Sequence, residues 1–251
     1  MYKISKLAAG SAIAATAVLG GASVALADGY AAPRVAYERP SNWSGVYFGV
    51  SSGWQWSSID LESSPGGAKA SVEDSNAVVG AHAGIQHQFG AVVVGAEGSW
   101  TSTVRDDFGE SPCPVNVICK ARLNDILSVG GRLGYAAGHW MPYLTGGYAS
   151  ARFAHEVWSL PGAGGAQTLL NSASTRNNGW FIGGGVEWAI SPGWTAGVDY
   201  KHYEFDRETG PAFTPAGALV TPNRVIDPDG TDVITARVSW RWGRPEAVPL
   251  K

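Results

Sequence analysis

Eight strand-like runs are joined by connections that alternate without exception between very short and very long, and no other feature constrains the fold of this chain so tightly. The runs span 43–56, 76–88, 91–104, 123–137, 140–154, 178–190, 194–207 and 231–242. The junctions near Phe89-Gly90, Gly138-His139 and Ser191-Pro192-Gly193 take only a few residues. The other four, 57–75, 105–122, 155–177 and 208–230, each exceed fifteen residues. An up-and-down barrel in an outer membrane sorts its connections this way, with short turns on the periplasmic side and long loops outside. An immunoglobulin-like sandwich has no reason to. The expected fold class is all-β: an eight-stranded antiparallel up-and-down transmembrane β-barrel over 43–242.

Period-two alternation supports it, most clearly in the last three runs. Trp180, Ile182, Val186, Trp188 and Ile190 share one face, against Phe181, Gly183, Gly185 and Glu187 on the other. Trp194, Ala196, Val198 and Tyr200 oppose Thr195, Gly197, Asp199 and Lys201. Ile234, Ala236, Val238, Trp240 and Trp242 oppose Thr235, Arg237, Ser239 and Arg241. Alternation alone fits a soluble barrel with its apolar face inward or a membrane barrel with that face outward.

The N-terminus separates the two. Lys3 and Lys6 precede a small, apolar stretch over 7–26, and Ala25-Leu26-Ala27 closes it as an A-x-A cleavage site. These are the parts of a secretory signal peptide. The expected organisation is a signal peptide over 1–27, a periplasmic linker over 28–42 with two Pro, the barrel over 43–242 and a tail over 243–251. The first 27 residues hold two Lys and no acid, so removing them moves the formal net charge from −3 to −5. That balance argues against a nucleic-acid partner. Beyond the N-terminus no run of 18 apolar residues offers a transmembrane helix. Gly is near one residue in seven, 34 of 251, about twice the usual ~7% share, without a collagen period.

Aromatics gather near the ends of the runs. Trp43, Phe89, Tyr135, Trp140, Trp188, Trp194 and Trp242 fall on the short-turn side. Trp54, Trp56, Trp100, Trp158 and Trp180 fall on the long-loop side. Trp and Tyr favour lipid headgroups because one end of the ring is apolar and the other forms hydrogen bonds. Two interface girdles are therefore expected, built around Trp43, Trp54, Trp100, Trp140, Trp180, Trp188, Trp194 and Trp242.

Seven charged residues fall on the face assigned to the lumen: Glu97, Arg132, Glu187, Asp199, Lys201, Arg237 and Arg241. An eight-stranded barrel has an interior that side chains fill, and a buried charge there needs a partner. The expectation is an ion-pair network that plugs the barrel; the rival is a charged ion path or gate. Cys113 and Cys119, with five residues between them in the second long loop, are expected to form a disulfide in an oxidising periplasm. The five His are scattered, with no metal spacing. His155, where a strand meets an outer loop, is the one site for a haem or metal contact. His202 with a nearby Ser or acid would be needed for a lipid-modifying hydrolase, and no nucleophile motif supports it. No catalytic set, cofactor or metal is expected.

Trp43-Ser44-Gly45-Val46-Tyr47-Phe48-Gly49, followed by Gly53-Trp54, resembles the first strand of the small bacterial outer-membrane barrels of the opacity/surface-antigen porin family. Val94–Gly98, Gly131–Tyr135, Pro142–Gly147, Gly183–Glu187 and Asp199-Tyr200 are similar to its later strands. The resemblance covers 43–242 and relates the chain in architecture to OmpA-type transmembrane domains. It implies a surface antigen of the cell outer membrane of a Gram-negative cell, often called a porin. One departure is visible: such barrels usually end on an aromatic residue, whereas here nine residues, GRPEAVPLK, follow Trp242. The expected role is structural and surface-contacting, with no enzymatic activity. The partners are outer-membrane lipid and lipopolysaccharide, the barrel-assembly machinery and an extracellular partner at the long loops. The alternatives are a narrow channel for ions or small solutes, and a loop-borne haem or ligand receptor or adhesin.

Overall fold

Residues that alternate in polarity along extended backbone form sheets with two unlike faces, and here the sheet closes on itself. The computed structural model describes residues 42–62, 69–104, 108–113, 117–161 and 167–242. The expected signal peptide, nearly all of the linker and the tail lie outside these. Ten strands follow in order: β1 (Gly45–Glu62), β2 (Lys69–Phe89), β3 (Val92–Thr103), β4 (Gly109–Cys113), β5 (Val117–Tyr135), β6 (Trp140–Ser159), β7 (Leu169–Ser191), β8 (Trp194–Phe205), β9 (Glu208–Phe213) and β10 (Leu219–Trp242). Eight of them pair antiparallel as β1-β2-β3-β5-β6-β7-β8-β10, and β10 returns to β1 from Val46↔Trp242 to Glu62↔Val225. A closed ring leaves no unpaired edge. The three tight turns each hold a glycine in the left-handed region: Gly90 at φ 62°, Gly138 at 65° and Gly193 at 84°.

Over much of its height the ring is apolar outside. Val46, Phe48, Val50, Trp54 and Trp56 project from β1, and Ile182, Val186, Trp188 and Ile190 from β7. Val46 to Trp56 covers roughly 33 Å along the strand, which at a tilt of about 40° is close to the ~25 Å apolar band of an outer-membrane barrel. Trp140, Trp188, Trp194, Trp242, Phe89 and Tyr135 are exposed at its short-turn edge, with Trp140 and Trp188 stacked at 5.4 Å. Trp54, Trp56, Trp100, Tyr148 and Trp180 mark the other edge.

Two aromatics depart from the expected girdles. Trp43 is not an interface residue: it is 0% exposed, inside the ring against Val93, Met141 and Ala189. Gln86 Nε2 donates to its carbonyl at 2.6 Å and Gln88 Oε1 accepts from its amide at 2.8 Å, drawing the entering chain across the barrel mouth. Trp158 lies ten residues beyond Tyr148 along β6, past the apolar band, with Lys120 Nζ 5.3 Å from its ring centroid.

The long connections are mostly wall rather than loop. β1 runs on to Glu62, β6 to Ser159, β7 starts at Leu169 and β10 at Leu219. Where β3 stops, β4 pairs with β5; where β8 stops, β9 takes its place beside β10 and touches β7 at Ser172↔Phe213. In this extension the polarity inverts. Ile59, Leu61, Val72, Leu123, Phe153, Val157, Phe205 and Ile226 are buried inside, while Ser71, Glu73 and Ser75 face out. The strands reach this in two ways. β6 keeps its facing while its apolar residues move from even positions (Trp140, Leu144, Tyr148) to odd ones (Ala149, Ala151, Phe153). β5 has a bulge between Leu123 and Asp125 that turns its facing over. A second irregularity sits opposite Ser57–Ile59, where β10 carries Gly230 at φ 74°.

Candidate functional site

The inner face of the apolar band collects charge from strands far apart in sequence. Glu97 comes from β3, Arg132 from β5, Glu187 from β7, Asp199 and Lys201 from β8, and Arg237 from β10. All six are buried. Glu97 Oε2 lies 2.6 Å from Arg237 Nη2 and 3.7 Å from Arg132 Nη1; its Oε1 lies 3.4 Å from Lys201 Nζ. Glu187 Oε1 lies 2.6 Å from Arg132 Nη2 and 3.2 Å from Arg237 Nε. Asp199 Oδ2 is 3.7 Å from both Lys201 Nζ and Arg237 Nη1, and Thr235 Oγ1 donates to its other oxygen. Three acids thus meet three bases. Arg237, held by all three carboxylates, is the hub.

Two tyrosines belong to this layer. Tyr47 OH donates to Glu97 Oε2 at 2.9 Å, and Arg237 Nη1 donates to Tyr143 OH at 3.2 Å. The Arg132 guanidinium lies over the Tyr143 ring, 3.7 Å from its centroid. Glycines on neighbouring strands make the room: a Cβ on Gly84 would stand 2.5 Å from the Tyr47 ring, and one on Gly185 would stand 2.8 Å from Tyr143 OH. Sequence reasoning missed both tyrosines, although they share inward parity with Met141 and Thr145 on β6 and with Gln55 on β1. Arg241, the seventh charge, stands apart, its guanidinium 4.9 Å from the Trp43 ring centroid.

Apolar clusters flank the network on both sides. On the short-turn side lies the Trp43, Val93 and Met141 cluster. On the other lie Phe153, Phe181, Tyr203 and Phe205, with Phe153 and Phe205 edge-on at 5.6 Å and Tyr203 and Phe205 stacked at 5.9 Å. Between Ser51, His82, Ser99, Thr101, Lys201 and Tyr203 about 20 Å³ remains, room for one or two water molecules. His82 Nε2 meets Ser239 Oγ at 2.8 Å.

The remaining candidates lie elsewhere. Cys113 and Cys119 are joined as a disulfide across the β4–β5 hairpin. Chain-entropy reasoning gives a ring this small about 2 kcal/mol of local stabilisation. Replacing both cysteines by serine should leave the heat-resistant band on a gel unchanged and speed protease cleavage within 109–120; equal cleavage rates would remove the cross-link from the stability of the hairpin. His155 is 1% exposed and faces the interior of the extension, which takes it away from the surface position a haem contact needs. His202 faces outward, with Nδ1 2.7 Å from Asp232 Oδ1 and Nε2 3.1 Å from Glu204 Oε1, so carboxylates rather than a hydroxyl occupy both ring nitrogens. Among the described residues no group of three or more His, Cys, Asp or Glu is placed to hold a metal.

The chain has relatives among known outer-membrane proteins. The chain is 28% identical over 188 residues to the 31 kDa outer-membrane immunogenic proteins of Brucella melitensis and Brucella suis, covering 70% of this chain and 77% of each relative. Among solved structures, outer membrane protease OmpT of Escherichia coli is 9% identical, covering 82% of this chain and 99% of its own, with a TM-score of 0.46. Ail, the attachment invasion locus protein of Yersinia pestis, is 12% identical, covering 78% of this chain and 99% of its own, with a TM-score of 0.40. The family model described as the outer membrane protein beta-barrel domain matches residues 13–241. A closed ring with an apolar exterior and a match over nearly its whole length lead to one conclusion: the chain belongs to the outer membrane protein beta-barrel domain family and is a surface protein of the cell outer membrane.

Proposed function

We infer that this protein is a sealed barrel serving envelope integrity and surface contact, its transmembrane section an anchor and its extension a rigid stalk for the hairpin tips. The observation that carries the reading is the packed interior: the Trp43 cluster, a charge-balanced ion-pair layer and an apolar core follow one another along the barrel, and the cavity beside the ion pairs has room for a water or two. A conducting channel would need the ion pairs to open and the Phe153–Phe205 core to move aside as well. The hairpin tips, at the end where the extension projects, are the natural surface for an extracellular partner. The Brucella relatives are named as outer-membrane immunogenic proteins, in keeping with exposure at the cell surface. The bonding of His202 to two carboxylates supports a structural, non-enzymatic role, and the buried His155 weakens the haem-receptor alternative.

Planar-bilayer recording on refolded residues 28–251, with the gel shift on boiling as the check of folding, tests this. A folded and electrically silent protein is expected, with Glu97→Gln and Arg132→Gln equally silent. Stepwise conductance that these substitutions alter would replace the stalk by a pore filtered by the lumen charges. In cells, a deletion strain should lose detergent resistance or adhesion while small-solute uptake is unchanged; unaltered resistance and adhesion would end the envelope reading.

A further inference from the structure

Past the apolar band the outer face of the ring is unevenly charged. β2, β8 and β10 present Glu73, Glu204 and Asp232 there, whereas β6 and β7 present Arg152 and Arg176, with Glu156 four residues further along β6 and bonded to the Trp158 indole. These two arginines are register partners on adjacent strands, and both are exposed. Directly opposed side chains stand about 5 Å apart at Cβ, and like charges so placed repel. Asp125 offsets part of this, its Oδ1 3.7 Å from Arg152 Nη1. Arg176 makes no ion pair among the described residues. Two cations thus stand side by side, with one acid on the β5 side of Arg152 to offset them and none on the side of Arg176 among the described residues.

What lies beneath it defines the anion. Two residues below Arg176 on the same face, Asn178 accepts from Tyr148 OH at 2.7 Å through its side-chain oxygen, which leaves its amide NH₂ free of that bond. Below that, Tyr148 and Trp180 face each other at the edge of the band, and Leu144 and Ile182 continue the apolar column downward. Arg152 and Arg176 lie four residues beyond Tyr148 and Trp180, roughly 10 Å higher at the usual strand tilt. Arginine side chains are long enough to reach back toward headgroups from that height. An acyl chain lying on Leu144 and Ile182 would bring its own headgroup to the guanidinium pair. A guanidinium fork matches phosphate oxygens two at a time.

We propose that Arg152 and Arg176, with the Asn178 amide, bind the phosphate of a lipid in the outer leaflet, fixing one lipid against the β6–β7 face. The apolar column leading up to the arginines selects a lipid phosphate over a free one.

The test uses the full mature chain folded in detergent micelles, with diphosphorylated lipid A as the probe and native mass spectrometry counting the lipid retained. The wild type should retain it, and Arg152→Gln/Arg176→Gln should retain roughly tenfold less or lower still, the loss of two charge-assisted contacts. Arg207→Gln, which removes a positive charge between β8 and β9 that is already paired with Glu62 and Asp227, should behave as wild type. Chemically dephosphorylated lipid A should be retained poorly by all three proteins, and excess inorganic phosphate should not displace the intact lipid. Equal retention by wild type and the double glutamine variant would overturn the proposal, as would full retention of the dephosphorylated lipid. Displacement by inorganic phosphate would overturn its lipid component and leave a general anion site. The variants' gel shift on boiling confirms that each is folded before it is scored.

Discussion

Arg237→Met is expected to lower the stability of the folded barrel by about 3–5 kcal/mol, the usual cost of removing one partner from a buried ion pair. The cost comes from what stays behind. Glu97, Glu187 and Asp199 each lie within 3.7 Å of the Arg237 guanidinium, and none can turn to water. Without it, three buried acids face only Arg132 and Lys201. The double substitution Glu97→Gln/Arg237→Met restores the balance, two acids against two bases, and should recover most of the loss. Urea unfolding in detergent, followed by tryptophan fluorescence and the heat-dependent gel shift, gives both numbers. A single variant within 1 kcal/mol of wild type, or a double variant no better than the single, would show that the lumen charges are solvated. A wet lumen would in turn revive the channel.

Phe153→Ala should be comparably costly, about 3–5 kcal/mol, but its effect should be confined to the extension. Phe153 is fully buried, edge-on to Phe205 and part of the core with Leu123, Ile126 and Val157. The apolar band below is held by a different layer and by lipid. The variant should keep its gel shift on boiling while protease reaches the hairpins around 155–175. Unchanged protease resistance would mean that the extension does not depend on this core. Loss of the gel shift along with the resistance would mean that the two sections fold as one unit.

These two layers also mark how far the sequence could be read. The ring, its order and its outward residues were legible because Trp180, Ile182, Val186 and Trp188 repeat every second position and no other period competes. The six clustered charges were legible for the same reason, since each sits opposite such a residue. Their partners Tyr47 and Tyr143 were not: girdle reasoning weighs aromatics by type as lipid-facing, and these two point inward. Trp43 was misplaced for the same reason. The extension was hidden by its chemistry. Pro228-Asp229-Gly230 reads as a turn yet lies within β10, where Gly230 takes a left-handed conformation at an irregularity in the ladder. In β1 and β6 the apolar residues change parity, so a pattern search tuned to one phase loses the strands there: the runs end at 56 and 154, and the remainder reads as loop.

That change of parity gives the wall something like a reading frame. Along β6 the even positions meet lipid up to Tyr148 and the odd positions meet the core from Ala149 onward, with no bulge between them to absorb an error. One residue inserted near Ser150 would turn every later side chain to the opposite face, setting Phe153 in water and Arg152 in the core. Two residues would restore the phase and only lift the hairpin by one pleat. Relatives of this barrel should therefore differ in the height of their outer strands in steps of two, and odd changes should be confined to the hairpin tips or to sites such as Asn124 and Gly230, where the ladder already slips.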